Sequence, residues 1–232
     1  MTYYKKDFIA FQNSVATSYG KETNTIDEIL RVLVAAKLKN IAGRILDVGC
    51  GNGCFLEKLK SYSLLIKHGL DFAPEMLKIA NEKLSQDVRL LFSDATRIPF
   101  YDDTFDYIVC LNMLFNHPTF EDMKPIIKAL LHVCRPSGVV FFDLYNTKNP
   151  FIYFLTKRIT SSKRISFGGK GVSFSDVKRF LKNEGVSKIK KKYLYNKNLM
   201  VAHKKRRFYF FVRVVYVLIP FLRPRYLVIV TK

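Results

Sequence analysis

No acidic residue follows Glu184, although positions 185–232 hold 13 Lys or Arg. Across the whole chain 39 basic residues oppose 19 acidic ones, a net charge of +20, and the first 184 positions carry only +7 of it. So lopsided a field favours polyanions or an anionic membrane surface as neighbours. Cysteine is scarce: Cys50, Cys54, Cys110 and Cys134 lack the paired spacing of a zinc site, so no metal is expected and reduced thiols are. The opening Met1-Thr2-Tyr3-Tyr4-Lys5-Lys6-Asp7 has neither an apolar signal run nor an Arg-rich transit character, which makes a cytoplasmic protein the expectation. The apolar stretch Phe208–Leu222 is 15 residues long and contains Arg213 and Pro220, too short and too interrupted to span a bilayer. No internal repeat and no low-complexity linker is present.

What is there is enough for one large domain. The 232 residues, 49% of them apolar, can bury a full core but leave little room for a second complete domain. Thr25 and Glu28 form a capping-box pattern, after which Ile26, Ile29, Leu30, Leu33 and Ala36 recur at helical spacing, predicting a helix over Ile26–Leu38. Strands are predicted at Arg44–Val48, Leu65–Leu70, Val88–Phe92, Phe105–Leu111 and Val139–Phe142, the last after an Arg135-Pro136-Ser137-Gly138 turn. Helices at Phe55–Ser61, from Pro74 to Leu84 and at Glu121–Val133 alternate with them. A further helix begins at the Ser173/Asp176 cap and is stopped by Gly185; two more strands lie near Ser187–Tyr195 and Tyr226–Val230. The alternation predicts an α/β doubly wound, seven-stranded, mostly parallel sheet with helices on both faces. Residues 1–40 are expected to form an N-terminal lid and helix, and 196–225 a basic and apolar insertion between the last two strands.

The first strand, Ile45-Leu46-Asp47-Val48, runs into Gly49-Cys50-Gly51-Asn52-Gly53, and about twenty residues on a second apolar run ends in Gly69-Leu70-Asp71. That pairing describes a nucleotide-like cofactor at the carboxyl edge of a parallel sheet: glycines let backbone approach the ligand, and an acid at the next strand end accepts from ribose hydroxyls. A pyrophosphate cradle would space its glycines G-x-G-x-x-G, whereas here the third arrives one residue early.

These residues, with Asp94-Ala95 and Phe105-Asp106-Tyr107-Ile108-Val109, resemble the class I S-adenosylmethionine-dependent methyltransferases, most closely the group acting on small-molecule and lipid-like acceptors. Leu130–Gly138 and the late Tyr226–Val230 strand, which the resemblance makes an antiparallel last strand, are similar as well. The resemblance is strong over residues 40 to 145 and looser at the ends. It implies S-adenosylmethionine as cofactor. By it, Gly49, Gly51 and Gly53 lie beneath the methionine portion and ribose, with Asp47 below orienting the loop or the cofactor's amino group. Asp71 corresponds to the acid on the two ribose hydroxyls, Phe72 or its neighbour to the adenine wall, and Asp94 to the acceptor for the adenine amine, with the Ala95 backbone beside it. Leu111 and Asn112 close the fourth strand against the cofactor, and Tyr19 resembles an N-terminal lid aromatic.

Methyl transfer needs an in-line nucleophile and close approach more than elaborate acid–base machinery. For a hydroxyl or acidic-carbon acceptor a base helps, and His117, just beyond strand four, is the candidate; the alternative has it capping a helix or facing solvent. Tyr145 and Asn146 are placed to touch the acceptor, while His68, His132 and His203 lack a catalytic setting. The family's Asn/Asp-Pro-Pro-Tyr/Phe segment for exocyclic amines of bases is absent after strand four, where Asn112-Met113-Leu114-Phe115 stands. No Pro-Cys pair supplies a covalent nucleophile for cytosine. The block Lys204–Arg207, the lysines 188, 190, 191 and 192, and the apolar run Phe208–Leu222 admit three readings: contact with an anionic membrane or a lipid-like acceptor, plain cover for the sheet, or single-stranded RNA binding. The expectation is therefore methylation of oxygen or carbon on a small or lipid-like acceptor. An RNA (rRNA or tRNA) methyltransferase and a non-catalytic binding module of the same fold are the alternatives.

Overall fold

The computed structural model describes residues 25–117, 119–145, 172–194 and 225–232. Its elements run α1 (Thr25–Lys37), β1 (Gly43–Val48), α2 (Cys54–Lys58), β2 (Leu65–Asp71), α3 (Pro74–Lys83), β3 (Val88–Phe92), β4 (Phe105–Cys110), a 3-10 turn (Leu114–Asn116), α4 (Phe120–Val133), β5 (Cys134–Tyr145), α5 (Phe174–Asn183), β6 (Lys188–Tyr193) and β7 (Arg225–Thr231). The strands form one seven-stranded sheet in the order β3-β2-β1-β4-β5-β7-β6. Strands β1 to β5 pair in parallel; β7 is antiparallel to both β5 and β6, so β6 runs with the parallel set. Order reverses between β1 and β4, the crevice where open α/β sheets place their ligands. The doubly wound, mostly parallel architecture is the one predicted.

Alternation along the strands builds two cores. Leu46, Ile108, Phe142 and Val228 face Ile126, Ile127 and Leu130 of α4 and Val177 and Leu181 of α5. Their chain neighbours Ile45, Val109, Phe141 and Leu227 face Leu30, Val34 and Leu38 of α1 together with Phe55 and Leu59. Successive side chains of a strand leave on opposite faces, so near-continuous apolar runs are what a sheet covered on both sides requires.

Three boundaries and one helix face differ from expectation. The buried stripe of α1 is Leu30, Arg31, Val34, Ala35 and Leu38, with Ala36 outward. A helix apolar on most of its circumference allows more than one stripe, and packing against β1 and β4 selects this one. Helix α2 is shorter than predicted and ends at Lys58. The Arg135–Gly138 turn lies inside β5: between the pairs Phe105↔Cys134 and Tyr107↔Val139, β5 takes extra residues as a bulge, and Ser137 sits at φ 66. Strand β5 also continues beyond Phe142 to Tyr145, because β7 pairs with it all the way to Arg225. Of the β6 lysines, Lys188, Lys190 and Lys192 are exposed, whereas Lys191 turns to the other face and lies over the rings of Phe174 (4.4 Å) and Tyr193 (4.5 Å).

Among the described residues no helix is long and apolar enough to cross a membrane, and no cluster of three or more His, Cys, Asp or Glu could hold a metal. All four cysteines are free. Tyr19, Asn146, His203, the Lys204–Arg207 block and the Phe208–Leu222 run lie outside the described residues.

Candidate functional site

The turn after β1 is left-handed at all three glycines, with φ of 75, 53 and 76° at Gly49, Gly51 and Gly53. Space as well as conformation requires glycine at its two ends. A Cβ on Gly49 would stand 2.8 Å from Met113 Cγ, and one on Gly53 would stand 2.7 Å from Leu84 Cδ1. The loop is tied back to the second strand: the N–H groups of Gly49 and Cys50 donate to Leu70 O at 2.7 and 3.1 Å, and Gly51 N–H donates to Asp71 Oδ2 at 2.8 Å.

Asp71 therefore orders the loop before any ligand arrives. Its other oxygen accepts from Ala73 N–H at 2.9 Å, and the Phe72 N–H is a third backbone donor to the carboxylate. Burial raises its carboxyl pKa against the lowering effect of these backbone donors. Asp47, in register with Gly69 one strand away, is 3% exposed. Burial first, and the neighbouring Asp71 charge second, push its pKa up to about 8, with Arg31 opposing. The same two acids, after burial itself, hold the Cys50 thiol well above its ordinary value, so it is no nucleophile. Two acids buried side by side under a glycine loop suit a ligand bringing hydroxyl donors and positive charge.

The third strand end continues this edge. Asp71 pairs with Phe92, and Ser93 N–H donates to Asp71 O at 3.0 Å, so Asp94 and Ala95 leave the sheet next to the carboxyl end of β2. The Asp94 carboxylate accepts from Thr96 N–H at 2.9 Å, a local turn that fixes its place, and Ala95 packs on the core. Phe72, half-buried, follows Asp71 directly.

Beyond β4, Leu111 is buried on the α1 face, and Asn112 adopts φ 61, left-handed for a residue that has a Cβ. Met113 fills the space Gly49 leaves, and the 3-10 turn ends at His117, whose N–H donates to Leu114 O at 3.1 Å. His117 is thus half-buried at the rim of the same edge as the glycine loop. His68 is instead a core residue, edge-on to Phe100 and Phe105, with its pKa lowered by burial; His132 lies on the exposed face of α4 beside Asp102.

Sequence reading missed a second buried group at this edge. Asp143 Oδ1 accepts from Asn112 N–H at 2.7 Å, and its Oδ2 accepts from Arg225 Nε at 3.0 Å and from Arg225 Nη2. Arg225 also donates to Asn112 Oδ1 and to Asp27 Oδ1 of α1. Its guanidinium lies 4.8 Å from the ring centre of Phe115 and 5.4 Å from that of Tyr145. Tyr145, placed by sequence near the acceptor, stacks on Phe115 at 4.7 Å. The signal for this group was faint: one acid inside the apolar run of β5 and an arginine opening a buried strand.

The sequence pattern of a family described as a methyltransferase domain matches residues 45–138. Over 136 residues the chain is 32% identical to the ubiquinone biosynthesis O-methyltransferase of Pseudomonas putida, covering 57% of this chain and 53% of that protein. The chain spans about half the length of the curated relatives it matches. Among solved structures it resembles a SAM-dependent methyltransferase from Archaeoglobus fulgidus, with a TM-score of 0.63, 20% identity and coverage of 87% of this chain and 94% of that one. It also resembles a chain of the Haloferax volcanii complex containing the Trm112 methyltransferase activator, with a TM-score of 0.71, 16% identity and coverage of 95% and 96%. The fold is that of the class I S-adenosylmethionine-dependent methyltransferases.

Proposed function

We propose that the protein transfers a methyl group from S-adenosylmethionine to an oxygen or carbon of a small or lipid-like acceptor. The observation that carries this reading is the hydrogen bond from Gly51 N–H to Asp71, above the buried Asp47: it ties the glycine loop to the acid meant for the ribose at the β1/β4 crevice. The residues fit the cofactor. Gly49 and Gly53 leave cradles that a Cβ would fill, and the two buried carboxyls offer acceptors to hydroxyls and, once a bound cation favours their ionised form, countercharge to an ammonium and a sulfonium.

In this reading Gly49, Gly51 and Gly53 support the methionine portion and ribose, Asp47 orients the amino group, and Asp71 accepts from the ribose. Phe72, Asp94 and Ala95 line the adenine, Leu111 and Asn112 close the far side, and Tyr19 belongs to the lid. The cofactor, when bound, supplies an electrophilic methyl on a sulfonium. The protein's own work is to exclude water and hold the acceptor in line, since well-oriented approach lowers the barrier by several kcal/mol, of order 7–11 at best. His117 is the group proposed to take the acceptor's proton. The O-methyltransferase names of several relatives support oxygen as the methylated atom.

The exposed Lys188, Lys190 and Lys192 on β6, with the +20 net charge, also favour a second reading as an RNA methyltransferase. Incubation with methyl-labelled cofactor and cell extract, followed by separation of lipid, metabolite and RNA pools, tests the choice. Label is expected in the lipid or metabolite pool. Label confined to RNA selects the second reading, and cofactor binding without label in any pool selects a non-catalytic binding module. Binding of anionic vesicles that is lost on deleting Lys204–Arg207 would support peripheral membrane contact; undiminished binding would refute it.

A further inference from the structure

We propose that Arg225 is a positioning residue of this site, holding the Asn112–His117 turn against the glycine loop and tying the start of α1 to it. The proposal rests on the methyltransferase reading for its consequence, though its geometry does not. Arg225 is the first described residue after 195–224, and it enters the sheet 3% exposed. Among the described residues, the partners of its guanidinium lie at the carboxyl edge: Asp143 on β5, Asn112 after β4 and Asp27 on α1. Phe115 and Tyr145 stand beside it as aromatic neighbours. Burial alone would push the guanidinium's pKa down, but the charges of Asp143 and Asp27 outweigh burial and hold it above its ordinary value.

Asn112 is held twice. Its side chain accepts from Arg225, and its N–H donates to Asp143 at 2.7 Å. Asn is one of the few residues with a Cβ that adopts φ 61 readily, and these two bonds fix it there from outside the turn. The next residue, Met113, is the side chain that Gly49 leaves room for. The position of the guanidinium therefore reaches the cofactor loop through two contacts, and the same turn ends at His117. Any buried ion pair could add cohesion, but only a planar fork bridges one carboxylate, one amide oxygen and a second carboxylate at fixed angles. Lysine, a point charge, cannot reproduce it.

The test uses the full-length protein as Arg225→Lys and as the double variant Arg225→Met/Asp143→Asn. The second removes the fully buried pair together, leaving only the partly exposed Asp27 without its arginine. Amide hydrogen exchange of Asn112–His117 and the Kd for S-adenosylhomocysteine are measured in each. At least one variant is expected to unfold cooperatively, with exchange at Asn112–His117 at least tenfold faster, protection in β2 and β3 unchanged, and Kd raised about tenfold. Unchanged exchange at Asn112–His117, or acceleration spread evenly over the sheet, overturns the positioning role. If the wild type binds no S-adenosylhomocysteine, the methyltransferase reading fails, while the exchange comparison still decides what Arg225 holds.

Discussion

Two sets of buried carboxyls stand at one sheet edge and are treated differently. Asp143 is paired by the protein itself: Arg225 and the Asn112 N–H take up both its oxygens. Asp47 and Asp71 have backbone donors to one of them and a more distant Arg31, and their pKa values are driven up. Burying charge without full compensation is costly, and folding gains nothing from leaving it so. On the reading proposed above, the pair that lacks an arginine bonded to it is the one assigned to the ligand, and Asp143 with Arg225 is the frame around it. Proteins often give up stability at such sites in exchange for function.

That contrast can be broken most sharply at Asp143. Replacing it with Ala leaves Arg225 buried without its main partner and should cost about 3–5 kcal/mol in chemical denaturation. A loss below 1 kcal/mol would show that Asp143 is not the frame. At Asp71 the effect should move from stability to binding. Asp71→Ala should raise the Kd for S-adenosylhomocysteine by roughly 100-fold, the worth of about two hydrogen bonds to a charged group; an unaltered Kd in calorimetry would remove Asp71 from the ribose site.

A smaller effect is expected at Gly49→Ala, because φ 75 and the 2.8 Å approach to Met113 both penalise a methyl group. The left-handed conformation alone costs about 1–2 kcal/mol, so cofactor affinity should fall by about tenfold or more. Wild-type affinity in this variant would mean that the loop relaxes freely.

The finest test is pH. The folded pKa of Asp47, about 8, lies above its unfolded value, so this group's contribution to stability is full below about pH 4 and is lost as pH rises toward 8. Burial-raised Asp71 acts in the same sense. Between pH 6 and 7 the cofactor-free protein should lose up to about 1.4 kcal/mol for one such proton. Asp47→Asn should flatten that slope. Thermal melts across the range measure it, and an equal slope in the variant would deny Asp47 its shift.

Much of this was legible beforehand. The glycine loop announces itself because positive φ and close approach restrict the residue type, and Asp71 because it follows an apolar run directly and its carboxylate takes the loop's Gly51 N–H. The α1 stripe was not legible, since most faces of that helix are apolar and only the sheet decides which is buried. Nor was the β5 bulge, because a Pro-Ser-Gly stretch reads as a turn until β4 and β7 are seen to pair around it.

Local periodicity and turn chemistry are written in neighbouring residues, so the sequence alone determined the alternation of elements, the loop and the acids at the strand ends. Arg225 meets Asp143 across 82 positions and Asp27 across 198. No nearby pattern encodes such a meeting. It exists only once β7 inserts antiparallel beside β5 and brings its first residue to the carboxyl edge, so the tertiary structure alone decided how the far wall of the site is held.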